Sequence, residues 1–110
     1  FEAAIRLLHK FPQITAIFAC NDETAIGVIN AIRHAGLRVP EDISVVGFDD
    51  IDLAQEVIPP LTTIHVDKVL MGIMALRLLR DRIEDMDKAA IKTVVSTQLI
   101  TRSSVLYFED

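Results

Sequence analysis

Residues 15–50 read TAIFACNDETAIGVINAIRHAGLRVPEDISVVGFDD, and the pattern in this stretch decides the fold. Thr15 to Cys20 is a continuous apolar run with the length of a buried strand. Asn21 or Asp22 then caps a helix reaching about Ala35, with Ala25, Ile29 and Ile32 on its inner face. Gly36 falls where a left-handed C-terminal cap is usual. After a loop punctuated by Pro40, Ile43 to Phe48 forms a second buried strand. Strand, helix and strand in one short stretch make a βαβ unit with parallel strands and a right-handed crossover. The expected class is therefore α/β, a parallel sheet with helices on both faces.

Working outward, Phe1 to Phe11 is apolar at helical spacing and stops before Pro12. The chain opens on Phe1, already inside that helical pattern, and we expect a piece of a longer protein. Beyond the second strand, Asp49 to Pro60 is irregular and acid-rich. Leu61 to Val66 (LTTIHV) is short, β-branched and extended. Asp67 caps a long helix to about Asp85, apolar nearly all round from Val69 to Leu79, which predicts cover on several sides. Glu84 to Lys88 is a charged loop, and Thr93 to Ile100 a last strand.

Composition narrows the function classes. A net charge of −5, with basic residues scattered among acidic ones, repels phosphate backbones, so nucleic acid is not a partner of these residues alone. No run reaches the ~18 apolar residues of a membrane span; the longest, Val69 to Leu79, is broken by Arg77. The N-terminus carries no signal-peptide pattern. The single cysteine, Cys20, excludes an internal disulfide and reads as inert core. His9, His34 and His65 lack metal-ligand spacing, and the four glycines form no phosphate-binding loop. A calcium loop counted from Asp49 fails, because Ala54 stands at the glycine position and Pro60 at the closing glutamate. No metal and no cofactor is expected.

What remains is the acid at both strand ends. In open parallel sheets, ligands bind beyond the carboxyl ends of the strands. Asn21-Asp22 follows the first strand and Asp49-Asp50 the second, so the two pairs emerge as neighbours about 4.8 Å apart at one edge. Asn donates and accepts while a carboxylate accepts at several lone pairs, which suits sugar hydroxyls or the amino groups of a base. The bland alternative is equally physical: an Asn-Asp pair at a helix start is often only a cap, stabilising by about 1 kcal/mol. Asp22 reads best as that cap, and Asp50 and Asp52 as solvated. Asp22 and Asp49 could also form a carboxylate pair for hydrolysis, but no cause for a raised pKa is visible.

Residues 15–50, followed by Pro59-Pro60-Leu61-Thr62-Thr63-Ile64 and ending on Leu99, Ile100, Arg102 and Ser103, resemble the C-terminal part of LacI/GalR transcriptional regulators. That family's effector domain is similar to type 1 periplasmic sugar-binding proteins, with two α/β lobes around a ligand cleft. The resemblance implies that 1–60 belong to the C-terminal lobe. It makes 61–88 the crossover strand and helix of the N-terminal lobe, 89–104 the return strand, and 105–110 a tail. It implies that Asn21 and Asp49 contact the effector. Val66 takes a ligand-facing position that the family often fills with a polar residue. It also implies a homodimer interface involving Ala25, Ile26, Ile29, Leu53, Val57 and Ile58.

The expected function is the effector-binding and dimerisation part of a cytoplasmic repressor, not an enzyme. Its partners would be a small molecule, a second copy, and DNA only through an upstream helix-turn-helix outside these residues; no membrane is involved. With the companion lobe mostly missing, exposed apolar surface is expected on this piece. A periplasmic sugar-binding protein is the alternative, and a carboxylate-pair hydrolase a third reading.

Overall fold

The computed structural model describes residues 1–107; positions 108–110 of the expected tail lie outside the described residues. The elements run α1 (Glu2–Lys10), β1 (Ala16–Phe18), α2 (Asp22–His34), β2 (Ser44–Val46), α3 (Leu53–Glu56), β3 (Thr63–His65), α4 (Lys68–Glu84) and β4 (Gln98–Ile100). Two compact units result: Phe1–His65 together with the segment from Gln98 onward, and Val66–Thr97. The first unit keeps Leu61 to His65 and loses Ala89 to Thr97, so its edges differ from the boundaries at 60 and 89 expected from sequence.

In the first unit, β1 and β2 pair in parallel, with Ala16 opposite Ser44, Ile17 opposite Val45 and Phe18 opposite Val46. Parallel pairing requires the crossover helix α2 between them. The chain beyond β2 runs parallel to the β3 region, with single bridge pairs at Val46–Thr62 and Asp49–His65. The Gly47 N–H donates to Thr62 O at 2.9 Å, and the Asp49 N–H donates to Ile64 O at 2.9 Å. β4 pairs with β3 antiparallel, Ile64 facing Leu99. That departs from an all-parallel sheet for a topological reason: β3 leads out to the second unit and β4 leads back beside it.

The core lies between α2 and the strands. Ile29 and Ile32 of α2, Val45 of β2 and Leu61 are almost wholly buried, alongside Ala25, Ala31 and Ala54. Burying each large aliphatic side chain contributes about 1.5–3 kcal/mol. α2 ends as its sequence demands. Gly36 adopts φ +78°, its N–H donates to Arg33 O at 3.0 Å, and the Leu37 N–H donates to Ile32 O at 3.0 Å. Those two bonds are a Schellman motif.

Several expectations need correction. Cys20 is exposed rather than core, because β1 has β2 on one side only and Phe18, 65% exposed, opens outward with it. Ala25 and Ile29 are 0% and 1% exposed, so they pack inside this chain and are closed to a second copy. The stretch expected to be irregular contains the single turn α3, whose four residues are too few to show a period. The final strand is limited to Gln98–Ile100. In the second unit, Asp67 caps α4 through its bond from the Leu70 N–H at 2.8 Å, yet none of residues 66–97 is buried. Val69, Leu76 and Ile83 stand exposed along α4.

Gly47 permits the closest approach in the core. A Cβ there would lie 2.2 Å from Asp22 Oδ1, 2.9 Å from Leu61 Cδ2 and 3.3 Å from Ala25 Cβ. Gly47→Ala in the intact protein is predicted to lose roughly 1–3 kcal/mol of stability, the usual penalty for overpacking. Urea denaturation checks this, and an unchanged midpoint would refute the close contact.

Candidate functional site

Asn21 follows Phe18 by three residues, and Asp49 follows Val46 by three, so the register of β1 against β2 brings both to one sheet edge. The Asp22 N–H donates to Phe48 O at 2.8 Å and continues that register past the strands. Both Asn21 and Asp49 are half-buried.

Asn21, not Asp22, is the helix cap. Its backbone is extended (φ −154°, ψ 167°) and its Oδ1 accepts from the Thr24 N–H at 2.8 Å. An asparagine carries one carbonyl oxygen and two N–H donors. With Oδ1 turned to the helix, Nδ2 is the group Asn21 can offer a ligand. Asp22 opens the first turn of α2 but points into the protein and is 0% exposed. Its Oδ2 accepts from the Ile51 N–H at 2.9 Å, and its Oδ1 accepts from Thr63 Oγ1 at 2.5 Å. A hydrogen bond to a charged group contributes about 1.5–3 kcal/mol. Such a carboxylate is a brace, and burial removes it from any catalytic pairing with Asp49.

The turn after β2 is unusual. Asp49 has φ +112° and Asp50 φ +52°, both non-glycine residues in the left-handed half of backbone space. Each such residue costs of order 1–3 kcal/mol and persists only where its surroundings fix it. Here the fixing groups are visible. The Asp49 N–H is held by Ile64 O, and the Ile51 N–H by Asp22. Between them, Asp50 Oδ1 accepts from Arg102 Nη2 at 2.7 Å, and Asp50 Oδ2 lies 2.9 Å from His65 Nδ1. Arg102 also donates from Nη1 to Leu61 O at 2.9 Å, and its backbone N–H donates to Thr62 Oγ1 at 2.9 Å.

Asp50 is therefore paired rather than solvated, which corrects the reading from sequence; Asp52 does remain exposed. Sequence patterning could not reveal the cluster, since Arg102 and His65 are remote from Asp50 in the chain. Their one signal was Arg102, which the family resemblance had already singled out. Ser104 is likewise structural. Its Oγ accepts from the Thr62 N–H at 2.8 Å and donates to Val45 O at 2.6 Å, fully buried.

Val66 begins the second unit, and the interface candidates divide. Leu53 and Ile58 are 49% and 70% exposed, while Ile26 is half-buried and Val57 packs partly on the core. Among the described residues there is no cluster of three or more His, Cys, Asp or Glu able to hold a metal ion, and no helix long and apolar enough to cross a membrane.

Residues 2–105 match the family described as periplasmic binding protein-like domain. The chain belongs to that family, within its LacI/GalR branch. It is 42% identical over 108 residues to the HTH-type transcriptional repressor PurR of Haemophilus influenzae (strain ATCC 51907 / DSM 11121 / KW20 / Rd), covering 96% of this chain and 32% of that protein. The PurR repressor of Aliivibrio fischeri (strain MJ11) is 47% identical over 99 residues, covering 90% of this chain and 29% of its own length. Among solved structures, a transcriptional regulator CelR–cellobiose complex superposes with a TM-score of 0.87 at 39% identity, over 93% of this chain and 32% of the other. A lac repressor dimer bound to operator and the anti-inducer ONPF gives a TM-score of 0.87 at 34% identity, over 97% and 37%. This LacI/GalR chain thus spans about a third of the length of the curated relatives it matches.

The Asp50 carboxyl has a signed pH consequence. Burial pushes its pKa up, but the hydrogen bonds from Arg102 and His65, with their charges, outweigh burial and hold it below the ordinary carboxylate value. An acid with a depressed folded-state pKa stabilises the fold above its unfolded value, about 3.9 for Asp, and loses that contribution as pH falls through the folded value. Asp50→Asn should therefore lower Tm most near neutral pH, with wild type and variant converging in strong acid. A gap that stays constant from neutral pH down would contradict the pairing.

Proposed function

We propose that this chain is the effector-binding and dimerising part of a LacI-type transcriptional regulator, with Asn21 and Asp49 in contact with the effector. The observation that carries the reading is their common position at the carboxyl edge of two parallel, registered strands. Asn21 donates through Nδ2 and Asp49 accepts, a donor–acceptor pair suited to a hydroxyl of a sugar or to the N–H groups of a base. Backbone strain concentrated at Asp49 and Asp50 supports the same location, because strained residues cluster at ligand sites. The relatives include a regulator complexed with cellobiose, so sugars are the first effector class to screen, and bases, which the same donor–acceptor pair suits, the second.

Exposed Leu53 and Ile58, with Ile26 on α2, form the proposed contact with a second copy. The exposed apolar side chains of α4 fit a helix whose covering lobe is supplied by other residues of the protein. DNA binding would belong to a helix-turn-helix outside this chain, and effector occupancy would shift a population between two states that read DNA differently. The transport alternative is disfavoured by relatives that are repressors. The hydrolase reading is disfavoured by the buried, doubly bonded Asp22.

Asp49→Ala in the intact protein is expected to weaken effector binding at least about tenfold, the equivalent of losing one hydrogen bond to a charged group. DNA affinity without effector should stay close to wild type. Isothermal titration calorimetry of effector and fluorescence anisotropy of DNA check the two halves; unchanged effector affinity would overturn the assignment.

A further inference from the structure

Asp49 is anchored through its N–H on Ile64 O, and its neighbour Asp50 is held by side chains far along the sequence. Arg102 uses its guanidinium as a fork: Nη2 binds Asp50 Oδ1 at 2.7 Å while Nη1 binds Leu61 O at 2.9 Å. His65 Nδ1 lies 2.9 Å from the other Asp50 oxygen. All three polar side chains are removed from bulk water to differing degrees, with Arg102 and Asp50 at 17% and 16% side-chain exposure and His65 at 45%. A planar guanidinium that donates to two acceptors at once fixes direction as well as distance, which an ammonium does not.

His65 ends β3, the last residue before the chain enters the second unit, and Arg102 follows β4, on which the chain returns. We propose that Arg102, helped by His65, is a positioning residue: by clamping Asp50 it holds the Asp49 turn in its left-handed geometry and ties that turn to both connecting segments. The proposal rests on the reading of Asp49 as an effector contact for its functional meaning. It makes Arg102 a determinant of effector affinity without touching the effector, and makes the turn and the connecting segments move as one.

Hydrogen exchange at single amides of the intact, effector-free protein tests the clamp. In Arg102→Met, exchange at the Asp49 and Ile51 N–H groups should rise at least about tenfold while Ile29 and Ile32 in α2 change by less than about twofold, a local opening rather than a global one. Arg102→Lys, which keeps the charge but not the fork, should fall between wild type and Arg102→Met. Adding Asp50→Asn to Arg102→Met should leave the turn unprotected. Exchange that stays slow at Asp49 and Ile51, or that rises equally throughout the chain, would overturn the proposal. So would protection restored by the double variant, because an orphaned Asp50 charge would then be the cause. No effector is needed for this reading, so its failure is separable from a failure of Asp49 to bind one.

Discussion

The fold of the first unit turns on the buried carboxylate of Asp22. It stands at the start of α2, yet its two oxygens reach Ile51 after β2 and Thr63 in β3. One side chain thereby joins the crossover helix, the acidic turn and the segment leading to the second unit. Nothing but glycine fits at position 47, because the carboxylate occupies the space that a Cβ would take. A buried polar group is tolerable only when hydrogen-bonded, and these two bonds meet that condition. Position 22 therefore serves architecture, and the proposed recognition falls to other residues of the same sheet edge.

Architecture and the proposed recognition are separated by a single residue step along the chain. Asn21 caps the helix with its oxygen and keeps its nitrogen for other uses, while Asp22 turns inward. After β2 the same alternation recurs: Asp50 is committed to Arg102 and His65, and the strained Asp49 beside it is not the residue that holds the clamp. Strain of about 1–3 kcal/mol per residue is sustained by charge-assisted hydrogen bonds of comparable strength. The proposed clamp would hold the turn fixed where a ligand needs it so. It also links that turn to β3 and β4, which carry the chain out to the second unit and back.

Much of this was legible in the residues. The βαβ unit followed from two apolar runs around a 3.6-residue period, and Gly36 marked the helix end because glycine takes the left-handed cap geometry without a Cβ penalty. The shared strand edge of Asn21 and Asp49 followed from parallel pairing alone. Side-chain commitments were not legible. Asp22 and Asp50 look like cap and solvent-facing acid because composition cannot reveal partners such as Thr63 or Arg102, which lie tens of residues away. Cys20, Ala25 and Ile29 depart from their readings for a related reason: apolar character does not say whether a neighbouring chain segment, a second copy or water lies opposite. Single-turn α3 left no periodic trace at all.

The central claim is that Asn21 and Asp49 together hold one small polar molecule. A crystal structure of the intact protein with a screened effector bound measures this most directly. The account predicts ligand atoms about 2.7–3.2 Å from both Asn21 Nδ2 and an Asp49 carboxylate oxygen. An effector bound with neither residue in reach would contradict it.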